Sequence, residues 1–106
     1  MSITLSAFDI LVEPSRREIL ELLRDGELPV GDIVDHLKLS QPAVSKHLRV
    51  MKEAGFVHVR PEAQQRFYRI CPEPLEQLDE WLEPYRKFWT THLDRLESHL
   101  DQRRKQ

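Results

Sequence analysis

The apolar positions in the first part of the chain recur at helical spacing and are divided by prolines and turn residues. Intervals of three and four residues separate apolar side chains from Ile3 to Leu11, from Ile19 to Leu23 and from Ile33 to Leu37, as in amphipathic helices. Pro14 suits the first turn of the second segment, because the nitrogen at that position has no intrahelical partner to lose. The pattern therefore predicts three short helices before residue 38.

A three-residue link, 38–40, separates the third segment from the clearest helix start in the chain. The hydroxyl of Ser40 can accept a hydrogen bond from an otherwise unpaired N–H group of the first turn. Three apolar side chains then share one helix face, opposite mainly polar and basic residues: Val44, Leu48 and Met51. Two helices joined by so short a turn form a helix-turn-helix, which we predict over residues 30–54.

Two stretches rich in β-branched and aromatic residues follow this unit, at 56–60 and 66–70. Such composition favours strands, and the polar residues 61–65 between them favour a turn. We predict a hairpin over residues 56–70, which would form the wing of a winged helix-turn-helix. The tip contains neither Asn-Gly nor Asp-Gly, so the pattern leaves the turn type open.

The last third of the chain carries one long seam of apolar residues at alternating steps of three and four: Leu75, Leu78, Leu82, Tyr85, Trp89, Leu93, Leu96 and Leu100. Pro84 removes a backbone donor within this helical pattern and crowds the preceding turn, so we expect a kink or a break near Glu83. The fold class predicted from the whole pattern is mainly α with a small β-hairpin, arranged as a winged helix-turn-helix.

Length and composition restrict the class of protein. The 106 residues suffice for one domain, predicted over 1–106, and 40% hydrophobic against 32% charged residues is typical of a folded chain. No apolar run reaches the 18 residues of a membrane span, and residues 1–12 lack the order of a secretion signal. The single cysteine, Cys71, excludes an internal disulfide and a thiolate metal cage. We therefore expect a cytoplasmic protein with no membrane partner.

The net charge of −2 is unevenly distributed along the chain. Residues 38–69 carry 7 Lys and Arg against 2 Asp and Glu, whereas residues 1–37 carry 3 against 8. A basic segment in an otherwise acidic chain is typical of a protein that presents one face to a polyanion. Charge clusters are also common on solvated faces, so the charge supports nucleic-acid binding only together with the helix-turn-helix.

The predicted second helix of the helix-turn-helix has the chemistry of DNA recognition. A helix fits the major groove of B-DNA, where an amide such as Gln41 can pair with adenine and a hydroxyl such as Ser45 can donate or accept. Basic side chains on that helix and on the wing suit phosphate, while His47 either contacts phosphate or packs under the wing. The predicted DNA-binding residues are Ser40, Gln41, Pro42, Ser45, Lys46, His47, Arg49, Lys52, Arg60, Arg66 and Arg69.

Three stretches of the chain carry a recognisable sequence pattern: residues 13–23 (EPSRREILELL), residues 39–57 (LSQPAVSKHLRVMKEAGFV) and residues 66–70 (RFYRI). Together they resemble ArsR/SmtB-type winged-helix transcription repressors. The resemblance implies a homodimer whose recognition helices bind an inverted-repeat operator in double-stranded DNA and block transcription, in some cases of its own promoter. Residues 81–89 (WLEPYRKFW) are similar to a metal-independent branch of that family.

The resemblance also implies which segments form the dimer. In this family the first and last helices pair across a two-fold axis, which corresponds here to residues 1–12 and 73–101. Apolar and aromatic side chains of these segments are the predicted dimer contacts: Phe8, Leu11, Trp81, Leu82, Tyr85, Trp89, Leu93, Leu96 and Leu100.

Other functions are weighed against the repressor. Pro29 and Gly31 stand where the family's cysteine metal motif would lie, so that metal site is absent and no cofactor is expected. A metal-responsive repressor using His92 and His99, spaced i and i+7, stays an alternative, as does a redox-responsive one using Cys71. A winged-helix module that binds protein is a further alternative. No enzyme is expected, because no catalytic constellation is visible, and the effector is unknown.

Overall fold

The computed structural model describes the backbone of residues 2–105 and the side chains of residues 7–100. The side chains of residues 1–6, among them Ile3, and of residues 101–106 therefore lie outside the described part of the predicted domain. Within the described backbone, the elements in chain order are the helices and strands α1 (Ser2–Val12), α2 (Pro14–Leu23), β1 (Leu28–Pro29), α3 (Val30–Leu37), α4 (Gln41–Glu53), β2 (Val57–Glu62), β3 (Gln65–Ile70) and α5 (Glu73–Lys105).

Local chemistry sets the helix boundaries. Pro14 occupies the first turn of α2, and the Glu13 carboxylate caps that helix by accepting a hydrogen bond from the Ser15 N–H at 3.3 Å. The Ser40 hydroxyl caps α4 by accepting from the Ala43 N–H at 3.2 Å. Lys38 ends α3 in the left-handed conformation, with φ 57° and ψ 32°. The three-residue turn and the predicted helix-turn-helix are therefore confirmed.

The hydrophobic core lies between α1 to α4 and the base of the sheet. Its ten members are fully or almost fully buried, and α4 contributes three of them: Ala7, Ile10, Ile19, Leu23, Ile33, Val44, Leu48, Met51, Phe56 and Val57. Burying a valine, leucine, isoleucine, phenylalanine or methionine side chain contributes roughly 1.5–3 kcal/mol to the stability of the folded domain. Because one face of α4 is packed into this core, its opposite face must point away from the domain.

The sheet has one more strand than the predicted hairpin. Leu28 and Pro29 pair antiparallel with Tyr68 and Phe67, which gives the strand order β1-β3-β2. Two residues that include a proline carry no strand periodicity, so β1 could not be predicted from the pattern of apolar residues. Proline is tolerated there because β1 lies at the edge of the sheet.

Helix α5 continues through Pro84 without interruption, so of the two outcomes expected near Glu83, a kink or a break, the break is wrong and the kink stays a prediction. Pro84 is exposed, and the carbonyl that loses its partner can therefore be hydrated. Ion pairs from Arg86 to Asp79 and Glu83 also connect the turns on both sides of the proline. None of the helices within residues 2–105 combines the length and the hydropathy that a membrane crossing requires.

The tip of the hairpin is a two-residue loop. Glu62 pairs with Gln65, which leaves Ala63 and Gln64 between the strands. Ala63 has a φ of 55°, whereas Gln64 is not among the residues with positive φ. A positive φ at the first loop residue alone matches a type II′ turn, in which glycine is preferred at that position.

Replacing Ala63 with glycine should stabilise the protein. A non-glycine residue with left-handed φ costs roughly 1–2 kcal/mol, and the greater freedom of glycine in the unfolded chain offsets part of the gain. We expect the free energy of unfolding to rise by about 0.5–1 kcal/mol in urea denaturation at fixed protein concentration. Gln64→Gly is the matched control and should be neutral or destabilising; a lower urea midpoint for Ala63→Gly would contradict the turn assignment.

Candidate nucleic-acid interface

The outward face of α4 carries the predicted recognition residues. Val44, Leu48 and Met51 have no exposed surface, which places the side chains on the opposite side of the helix in solvent. Six predicted DNA-binding residues are exposed there: Gln41, Pro42, Ser45, Lys46, Arg49 and Lys52. Ser40 lies just before them as the capping residue, with its hydroxyl engaged to the backbone.

A groove of about 620 Å³ separates this face from the wing. Residues of α4 line one wall, and the wing contributes Val59, Arg66 and Tyr68 to the other. Four cations line the groove, and no Asp or Glu lines it among the side chains of residues 7–100: Lys46, Arg49, Lys52 and Arg66. We call this surface the cationic groove; its charge favours an anionic partner.

The register of the hairpin separates the three wing arginines. Arg66 pairs with Pro61 and shares a face with Val59 and Tyr68, so it lies on the groove side. Paired residues in an antiparallel sheet point to the same face, and faces alternate along each strand. Arg60 and Arg69 therefore lie on the opposite face of the sheet. Of the three, the structure brings only Arg66 together with α4.

Arg60 is bound to acidic residues of the protein itself. Its Nη2 atom lies 2.5 Å from Oε1 of Glu27, its Nη1 atom lies 3.2 Å from Oε2 of Glu62, and its guanidinium carbon lies 4.8 Å from the centre of the Phe67 ring. The hydrogen bond from Arg60 lowers the pKa of Glu27 below its ordinary value, and the charge of Arg69 adds to this. Sequence reasoning missed Glu27, because it lies 33 positions from its partner.

His47 faces α2 rather than the wing. Its half-buried ring accepts a hydrogen bond at Nδ1 from Nε of Arg16, at 3.3 Å, and Arg16 also donates to the backbone oxygen of Asp9. The structure therefore does not support the alternative in which His47 packs under the wing. Its neighbours Lys46 and Arg49 lie on the other side of the helix, in the cationic groove.

Within the single chain described, the residues of the sensing alternatives are not brought together. Cys71 is buried, and burial raises the pKa of its thiol, which disfavours the reactive thiolate. His92 is exposed on α5 and stacks on Phe88. His99 is also exposed and lies seven residues, or about two helical turns, further along α5. Among the described side chains, no three His, Cys, Asp or Glu residues come together as a set of metal ligands.

An apolar stripe runs along the outer side of α1 and α5. Seven of the nine predicted dimer residues have between 38% and 56% of their surface exposed: Phe8, Trp81, Tyr85, Trp89, Leu93, Leu96 and Leu100. Leu11 and Leu82 are half-buried beside them. The rings of Phe8 and Trp81 meet edge to face at 5.4 Å, which joins the two helices into one surface. We call this surface the apolar seam.

Known proteins resemble this chain over most of its length. A family profile described as "Bacterial regulatory protein, arsR family" matches residues 13–59. The chain is 40% identical over 87 residues to the HTH-type transcriptional regulator Rv2034 of Mycobacterium tuberculosis, covering 82% of this chain and 78% of that protein. It is 31% identical over 77 residues to the transcriptional repressor SdpR of Bacillus subtilis, covering 73% and 86%.

A solved structure shares both fold and sequence with the chain. The crystal structure of a possible transcriptional regulator for arsenical resistance superposes with a TM-score of 0.69 and 38% identity, covering 88% of this chain and 94% of that one. The winged-helix arrangement of α3, α4 and the three-stranded sheet is thus the fold of known regulators.

Cys71 should be a slow thiol in the folded protein. Because the side chain is buried and its pKa is raised, we expect it to react with a thiol reagent at pH 8 at least about tenfold more slowly than in urea. A Ser98→Cys variant supplies an exposed thiol in the same chain as the control, and should add one fast reacting group. If Cys71 reacted as fast as the thiol at position 98, the inert assignment would be wrong.

Proposed function

The chain belongs to the ArsR family of bacterial regulatory proteins, and from this premise we propose that it acts as a dimeric repressor whose two cationic grooves bind an inverted-repeat operator. Like its family, it is a DNA-binding transcriptional regulator and not an enzyme. The dimer, the operator symmetry, repression and the roles of individual residues are the content of the proposal. A DNA partner implies a location beside the chromosome, in the cytoplasm.

The observation that carries the proposal is the composition of the cationic groove. Four cations from α4 and the wing line one concave surface with two polar side chains, Gln41 and Ser45. Helix α4 has 13 residues and is therefore about 20 Å long, and the major groove of B-DNA, about 12 Å wide, admits a helix. The polar residues lie in the first turns of α4, the end that reaches base edges in helix-turn-helix proteins.

The proposed roles follow the chemistry of each side chain. Gln41 and Ser45 read base edges, because an amide can pair with adenine and a hydroxyl can donate or accept. Lys46, Arg49 and Lys52 bind phosphates along the major groove, and Arg66 extends these contacts from the wing. Ser40 and Pro42 hold the first turn of α4 in position.

The apolar seam supports the dimer. Exposed apolar patches of this extent on a small protein mark interaction surfaces, and the heptad-like spacing of the seam suits another helix of the same kind. A two-fold axis along it would repeat the same contacts on both copies. Two linked grooves then bind two half-sites, and the second contact gains from the raised local concentration of DNA.

Substitutions in the cationic groove should separate phosphate contacts from base reading. We expect Arg49→Ala and Arg66→Ala each to weaken binding similarly on all sequences and to flatten the salt dependence by about one unit. Gln41→Ala should instead narrow the affinity difference between the operator and mutated operators. The measurement is fluorescence anisotropy over a salt series, on an operator selected from random DNA.

The matched control for these variants is Lys87→Ala, which removes an exposed cation of α5 outside the groove. Its affinity and salt slope should equal those of the parent protein. If Arg49→Ala and Arg66→Ala matched Lys87→Ala in both quantities, the groove would not be the DNA-binding surface.

A charge placed in the apolar seam should prevent dimerisation. Leu93→Glu puts a carboxylate on a surface that a second copy would bury, so we expect a monomer in sedimentation analysis. Its affinity for the operator should fall at least about a hundredfold, since the second half-site contact is lost. Lys87→Glu makes a charge change on the same helix, outside the seam, and should leave the dimer intact. A monomer that binds the operator with full affinity would refute the dimeric mechanism.

A further inference from the structure

The interaction between Arg60 and Glu27 spans all three strands of the sheet. Glu27 directly precedes β1, Arg60 lies in β2, and Phe67 beneath the guanidinium belongs to the central strand β3. Two nitrogen atoms of Arg60 donate hydrogen bonds to Glu27: Nη2 to Oε1 at 2.5 Å and Nε to Oε2 at 3.4 Å. A side chain of one outer strand is thus held to the residue at the start of the other, across the face of the sheet.

This arrangement leaves Arg60 poorly suited to bind phosphate. Its third nitrogen, Nη1, pairs with Glu62 at 3.2 Å, so each guanidinium nitrogen has a carboxylate partner. Glu27 and Glu62 thus occupy the hydrogen-bonding nitrogens of Arg60, and although Arg69 adds a positive charge on the same face, a phosphate would have to displace a carboxylate to bind Arg60. Arg66, by contrast, has no ion pair among the described side chains and lies in the cationic groove.

The wing has few other contacts near its tip. Val57 is buried at the base of β2, but Pro61 to Arg66 are all exposed. Arg60 is itself exposed and lies directly before this segment in β2, and its neighbour Pro61 pairs with Arg66. The ion pair of Arg60 with Glu27 thus joins the hairpin, just below its tip, to a residue outside it.

We propose that Glu27 and Arg60 form a clamp that sets the position of the wing for DNA binding, and that Arg60 is a positioning residue and not a phosphate contact. The inference rests on the proposed use of the cationic groove. Glu27 thereby becomes part of the DNA-binding machinery, although it is acidic and lies outside both the helix-turn-helix and the hairpin. The hydrogen bond from Arg60 is also the chief cause that lowers the pKa of Glu27.

The test compares Glu27→Gln with Glu21→Gln, an exposed acid on α2 that has no ion pair among the described residues. Both variants remove one negative charge, so a general reduction of repulsion would tighten DNA binding in both. The clamp predicts that Glu27→Gln alone binds the selected operator about threefold more weakly, the effect of an exposed ion pair, with an unchanged salt slope. Amide hydrogen exchange of β2 and β3 should accelerate in the same variant, while the urea midpoint falls by no more than the loss of one exposed ion pair allows.

Arg60→Gln distinguishes the two roles of the arginine directly. As a positioning residue, it should weaken binding about threefold without changing the salt slope, whereas loss of a phosphate contact would lower the slope by about 0.9. If Glu27→Gln bound the operator more tightly than Glu21→Gln, Glu27 would mask an Arg60 that contacts DNA. If the two variants bound equally, Glu27 would have no role in DNA binding. Either result overturns the clamp. Arg66→Ala is measured alongside: if it too leaves affinity unchanged, the proposed groove has failed, and not the clamp alone.

Discussion

Every proposed DNA contact depends on the burial of one face of α4. Val44, Leu48 and Met51 are completely buried, and each contributes roughly 1.5–3 kcal/mol to the stability of the domain. Turning the helix by one residue would expose these side chains and bury polar ones, which is strongly disfavoured. The packing that stabilises the fold therefore also directs Gln41 and Arg49 outward, so stability and recognition have the same physical cause.

Features with local causes could be predicted from the sequence, and features that depend on distant pairing could not. The Ser40 cap and the first-turn Pro14 act on residues within three positions, and the helix boundaries follow from them. Strand β1 exists only because Leu28 and Pro29 lie against β3, about 40 positions away. The break expected at Pro84 is absent because the long helix tolerates the loss of one hydrogen bond where the freed carbonyl can be hydrated, while ion pairs of Arg86 connect the turns on both sides.

The same distinction applies to the site. Helical periodicity alone placed the α4 residues on one face, whereas the sequence makes Arg60, Arg66 and Arg69 look equivalent. Strand register separates them: Arg66 faces the cationic groove, and Arg60 faces Glu27 on the other side of the sheet. A shift of one residue in that register would exchange the two faces. Charge counted along the chain thus identifies the basic region but not the side chains available to a polyanion.

The continuity of α5 matters for the proposed dimer because the apolar seam lies on both sides of Pro84. A break there would turn Trp81 out of line with Leu93 and Leu100, and no single partner surface would match both halves. The uninterrupted helix keeps them on one line of about 30 Å, and Phe8 of α1 packs against its first part. In such a dimer the distance between the two cationic grooves is set by packed helices and not by a flexible linker, so the spacing of operator half-sites becomes a property of the fold.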